Sequence, residues 1–84
     1  MVDIAKVEEV VSSAITEAES NREFSGDEIV KFAAEKVRND LGISCVYEYT
    51  GGFDSPGYRI DCYAIAYVTD DGDVGIYAYQ YELY

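Results

Sequence analysis

Gly42 divides this chain into two regimes of hydrophobic periodicity, and no other feature restricts the fold as much. Before it, apolar residues recur three and four apart, the spacing of one helix face. After it they alternate at period two, as in a strand with one buried side. Such a chain is expected to be α+β, with its helices gathered on one face of an antiparallel sheet.

Ile4, Val7, Val11, Ala14 and Ala18 line one face and predict a first helix over about 4–20, with Asp3 as its N-cap. The second helix, 26–41, carries its own start and stop signals. Ser25 and Glu28 stand at capping-box spacing, and Phe24 and Ile29 form the matching hydrophobic staple. Gly42 falls where a left-handed residue ends a helix, with Ile43 able to fold back on Val37. Ile29, Val30, Ala33 and Val37 make the core stripe of this helix, which leaves Glu28, Phe32 and Glu35 on the opposite side.

Three strands are expected, over about 43–50, 58–69 and 74–84. "GGFDSPG" and "DDGD" separate them as loops. Asp71-Gly72 predicts a two-residue type I′ hairpin. That register sets Tyr77 opposite Ala66, Tyr79 opposite Ala64 and Tyr81 opposite Cys62, so the tyrosines and the small residues would share the buried face. Tyr63, Ile65, Tyr67 and Ile76 would then lie on the second face, either as a patch for a second copy or shielded by strand 1 or a loop. A three-residue loop with a bulge would exchange the faces of the last strand. The expectation is one domain, 1–84, of order ααβββ: two helices on a three-stranded meander.

The chemistry of catalysis is missing from the residue types. There is no histidine, the commonest general base and metal ligand. Cys45 and Cys62 lie on separate strands without zinc-site spacing and are expected to be free thiols. "GGFDSPG" lacks the lysine and following helix of a phosphate loop, and "DDGD" lacks the closing glutamate of a calcium loop. Neither an enzyme nor a cofactor nor a metal site is expected. "MVDIAKVEEVV" has no apolar signal segment, and the run 63–68 is too short to cross a bilayer. A cytoplasmic protein is expected.

Charge narrows the partners. Seventeen carboxylates against six cations leave a net charge of −11. Such a field repels nucleic acid and anionic membranes and attracts basic surfaces. Glu17, Glu19, Glu23, Asp27 and Glu28 crowd the junction between the helices, and Asp70, Asp71 and Asp73 crowd the last hairpin. Glu8 and Glu19 project on one side of the first helix, about 16 Å apart at the helical rise. Phe32 stands between Glu28 and Glu35, an aromatic among carboxylates, as a hot spot for a basic, grooved partner requires. These eleven residues are the expected partner-binding set.

In length, acidity and a strand-rich, tyrosine-rich composition, the whole chain resembles the small phage-encoded inhibitors of host nucleic-acid enzymes. Among these are anti-CRISPR proteins, anti-restriction DNA mimics and the uracil-DNA glycosylase inhibitor. The resemblance implies a stoichiometric inhibitor without cofactor, monomeric rather than homodimeric, acting in the host bacterial cytoplasm. It would occupy the basic DNA-binding groove of a CRISPR–Cas effector complex by DNA mimicry. The alternative is an immunity, antitoxin-like or adaptor protein that binds one basic protein of its own cell.

Overall fold

The computed structural model describes residues 2–84, which form α1 (Ile4–Glu19), α2 (Gly26–Leu41), β1 (Ser44–Ser55), β2 (Tyr58–Val68) and β3 (Val74–Leu83). The strands make one antiparallel sheet in the order β1-β2-β3, and both helices pack on one of its faces. This is the expected ααβββ arrangement.

Local hydrogen bonds set the helix ends. The Asp3 carboxylate accepts from the Lys6 backbone N–H at 2.9 Å. Ser25 Oγ accepts from the Glu28 N–H at 3.3 Å, and Glu28 Oε1 accepts from the Ser25 N–H at 3.2 Å, which completes the capping box. Gly42 takes φ +67° and donates its N–H to the Arg38 carbonyl at 3.0 Å. Between these caps, Val7, Val11, Ala14 and Ala18 of α1 and Ile29, Val30, Ala33 and Val37 of α2 are buried as expected, joined by Ile15 and Ala34. Ile4 remains exposed at the end of the stripe.

Two expectations about the sheet are corrected. The first concerns "GGFDSPG", which is strand for most of its length. β1 continues to Ser55, with Thr50 as the extra residue of a bulge between Tyr49 and Gly51. Only Pro56 and Gly57 turn the chain, with Gly57 at φ +86°, the Pro-Gly pattern of a type II turn. The glycines that read as loop serve the ladder instead. Gly51 takes φ +120° at the bulge, and a Cβ on Gly52 would lie 2.7 Å from the Asp61 carboxylate and the Ile60 carbonyl.

The second correction concerns the last hairpin, which is not a type I′ turn. Its loop has three residues, 70–72. Thr69 donates its N–H to the Asp73 carbonyl at 2.8 Å, and Gly72, at φ +88°, donates to the Thr69 carbonyl at 2.9 Å. The buried Thr69 hydroxyl accepts the Asp73 N–H at 3.0 Å. This one-residue difference shifts every pair: Tyr77 opposes Ile65, Tyr79 opposes Tyr63, Tyr81 opposes Asp61 and Gly75 opposes Tyr67. β2 therefore turns Tyr63, Ile65 and Tyr67 to the helices, so these three are core and no second-copy patch. Cys62, Ala64 and Ala66 face outward, and Cys45 and Cys62 lie on opposite faces as free thiols.

The register is chosen by size. A Cβ on Gly75 would lie 2.4 Å from Tyr67 Cζ, so only glycine lets that ring cover β3. Gly75→Ala is expected to cost about 1–3 kcal/mol in urea unfolding. Gly72→Ala, strained in φ but with open space around it, should cost only about 1–2 kcal/mol. A loss at Gly75 no larger than a few tenths of a kcal/mol would mean that the Tyr67 ring yields to the added methyl.

Candidate functional site

The turn over residues 20–25 joins the helices and presents an aromatic side chain. The Phe24 N–H donates to the Asn21 carbonyl at 3.1 Å, and the Glu23 N–H donates to Asn21 Oδ1 at 3.1 Å. The Phe24 ring meets that of Phe32 at 6.3 Å between centroids, inclined at 55°. Tyr81 of β3 donates its hydroxyl to the Phe24 carbonyl at 3.5 Å. Phe24, Phe32 and Tyr81 thus form a half-buried aromatic shelf at one end of the helical layer. A cleft of about 300 Å³ opens on one side of Phe24, between Glu19, Arg22, Ile29 and Tyr81. A second groove lies on the other side, bordered by Glu28, Lys31, Phe32 and Glu35.

Six of the eleven expected residues gather at this end: Glu19, Glu23, Asp27, Glu28, Phe32 and Glu35. Glu17 does not join them. It lines the groove between the helices with Glu9, Ser13, Lys36 and Asp40. Asp70, Asp71 and Asp73 stand at the opposite end of α1, where Asp70 accepts the Val2 N–H at 3.1 Å. Glu8 lies toward that end too, its charge reaching the Tyr67 phenol. A sixteen-residue helix, about 24 Å long, separates the two ends. Phe32 is half-buried, so it both covers the core and lends a ring edge to the surface.

Sequence reasoning assigned Phe24 to the staple and Tyr81 to the core, and so missed their place in the shelf. A signal was available for Phe24: with Glu28 and Phe32 it stands at spacings of four, which extends one face of α2 beyond its cap. Nothing in the local pattern marks Tyr81, which reaches the turn from 57 residues away.

Phenols beside carboxylates have a physical role here. Tyr79 is buried and donates its hydroxyl to Glu19 Oε2 at 2.9 Å. Burial first, and then this bond to a carboxylate, push its ionisation well above the ordinary phenol range. Burial likewise raises Tyr63 and Tyr67. A neutral phenol can bury its ring and still donate to a carboxylate, which lets an acidic surface meet an apolar core.

Elsewhere, Arg59 donates to Asp61 at 3.0 Å, to Asp54 at 3.1 Å and to the Tyr49 hydroxyl at 3.1 Å. That knot sits on the part of the sheet that outruns the helices, and it takes two carboxylates out of the free acidic set. Among the described residues, no three acidic or cysteine side chains converge as a metal-ligand set, and no helix is long and apolar enough to cross a membrane. No protein-family model, curated protein or solved structure matches the chain.

The raised phenols are expected to weaken the fold at alkaline pH. The unfolded chain releases phenol protons from about pH 10, where the folded chain retains them, so stability falls as pH rises beyond that point. The slope steepens by about 1.4 kcal/mol per pH unit for each retained proton. Tyr79→Phe is expected to cost about 1–3 kcal/mol near neutrality, through the lost bond to Glu19, and to flatten the decline above pH 10. An unchanged alkaline slope in denaturant titrations would show that Tyr79 ionises freely.

Proposed function

We propose that this chain is a stoichiometric inhibitor without catalytic activity that binds the basic DNA-binding groove of a nucleic-acid-handling complex. Its resemblance to anti-CRISPR proteins names a CRISPR–Cas effector as the partner. One observation carries the reading: the aromatic shelf of Phe24, Phe32 and Tyr81 is ringed by carboxylates that outnumber the nearby cations. Glu19, Glu28 and Glu35 line its two clefts, with Glu23 in the adjoining turn and Asp27 in the first turn of α2, against Arg22 and Lys31, neither of which has a salt bridge among the described residues.

Two of these carboxylates are held before any partner arrives, Glu28 by Ser25 and Glu19 by Tyr79. Fixed charges lose less entropy on binding than free side chains do. Lysines and arginines that line a DNA groove to neutralise phosphates would meet these carboxylates in place of the phosphates. The long-range field of a −11 chain speeds the encounter, and the half-buried rings supply apolar anchoring once the groove closes over them. Inhibition is then occupancy: DNA and this protein compete for one surface, and no bond is made or broken.

A pull-down from a bacterial lysate containing a CRISPR effector, at low and then high salt, tests the partner. Recovery of an effector subunit that duplex DNA displaces is the expected result. Recovery of a single protein with no nucleic-acid role would transfer the function to the immunity or adaptor class. With the partner in hand, Glu23→Lys, Asp27→Lys and Glu35→Lys combined should slow association by about tenfold or more, with the melting temperature little changed. An unaltered association rate would remove this cluster from the interface. Phe32→Ala should mainly speed dissociation.

A further inference from the structure

The two faces of the molecule differ in charge. Opposite the helices, the sheet is open, and its rows are read from the register: Ser44, Val68 and Val74; Val46, Ala66 and Ile76; Glu48, Ala64 and Ala78; then Gly51, Cys62 and Gln80. Beyond these lie Phe53, Ile60 and Glu82. Only two of the seventeen carboxylates, Glu48 and Glu82, stand on this face, and both are on edge strands, where they reach solvent at the rim. The central strand contributes no charge to it. Val46, Val74 and Ile76 are 63, 67 and 68 % exposed, far more than apolar side chains with a packing partner.

This face carries a hollow and a projecting side chain next to each other. A nearly wholly apolar hollow of about 110 Å³ lies over Ala66, walled by Ser44, Val46, Val68 and Val74. Ile76 stands beside Ala66 on the neighbouring strand and projects next to the hollow, about 5 Å away at the strand spacing. We propose that a second copy of this chain packs on the open face about a two-fold axis between knob and hollow. Each Ile76 then enters the hollow of the other copy, an isologous contact.

Charge selects this occupant over others. A basic protein is drawn to the acidic helical layer, and nucleic acid is repelled by the whole molecule, whereas this face rewards an apolar, neutral surface of its own kind. The area is sufficient for a weak dimer. Three strands about 4.8 Å apart, each of about eleven residues at 3.3 Å, cover roughly 500 Å² per copy and roughly 1,000 Å² in all. That is the lower bound of specific interfaces. The two sheets would stack about 10 Å apart, with both helical layers outward and both aromatic shelves free. The dimer departs from the monomer expected above, and it has the opposite salt dependence to the binding of a basic partner. Screening relieves the repulsion between two −11 chains, so salt strengthens self-association while it weakens the acidic interface.

Sedimentation equilibrium of the full chain, from micromolar to millimolar and at low and high salt, tests the proposal. The mass should rise from 9.4 kDa toward twice that value with concentration, and more so at high salt. Ile76→Lys removes the knob, and Ala66→Lys independently fills the hollow from the central strand, which cannot take part in edge pairing. Each should raise the dissociation constant at least tenfold, with the far-ultraviolet circular dichroism unchanged, because both positions border solvent in the single chain. A mass of 9.4 kDa at the highest concentration and salt would overturn the proposal. So would a dimer that survives Ala66→Lys, which would place the contact at a strand edge, or one abolished by Phe32→Ala, which would place it on the helical layer.

Discussion

The structure depends on the ring of Tyr67 lying over Gly75. Tyr67 is 2 % exposed, and the missing Cβ on β3 is the space that its ring fills. This contact puts β2 and β3 in one register, and the other tyrosines take their places from it. With Gly75 opposite Tyr67, Tyr79 stands opposite Tyr63 and directs its hydroxyl to Glu19, while Tyr81 stands opposite Asp61 and reaches Phe24. A second glycine lets the helices settle on this surface. A Cβ on Gly26, in the first turn of α2, would lie 2.9 Å from Tyr63 Cε2 and Tyr81 Cγ, so the helix start rests directly on two rings. Close packing of large rings against bare backbone does here what larger aliphatic side chains do in longer chains.

That same packing reconciles a −11 chain with a compact fold. Carboxylates resist burial because the charged form loses its hydration. The described carboxylates stay at or near the surface, and the polar atoms that come down to meet them are phenol hydroxyls carried by buried rings. Tyr79 on Glu19 is the clearest case, while the exposed Tyr49 meets Asp61 from the surface, within the Arg59 knot. The acidic field is thereby anchored at fixed points without any charge entering the core. Charge and apolar exposure end on different surfaces, the helical layer with its aromatic shelf and the open sheet. The proposed basic partner and the proposed second copy would therefore meet separate faces, with ionic strength acting on the two contacts in opposite directions.

The sequence by itself determined the elements whose causes are local. The capping box at Ser25 and Glu28, the Asp3 cap and the left-handed Gly42 each close hydrogen bonds within four residues, so spacing alone identifies them. The change of period at Gly42 settled the order ααβββ, because helix and strand place apolar residues at incompatible intervals. The acidic helix junction was legible for the same reason, since its members are neighbours along the chain.

Only the tertiary structure decided the strand faces and the assembly of the shelf. "DDGD" reads locally as a two-residue turn but also admits a loop of three, and one residue's difference reverses every side chain of β2 relative to β3. The choice rests on Tyr67 against Gly75, a contact made after the strands have met. "GGFDSPG" likewise reads as loop from composition, and becomes strand because Gly51 and Gly52 accommodate a bulge and the Asp61 carboxylate across the ladder. Tyr81 joins Phe24 across 57 residues of sequence, a distance over which no periodicity carries information. Local chemistry thus set what each segment is, and the volumes of rings against glycines set which side of it faces the core.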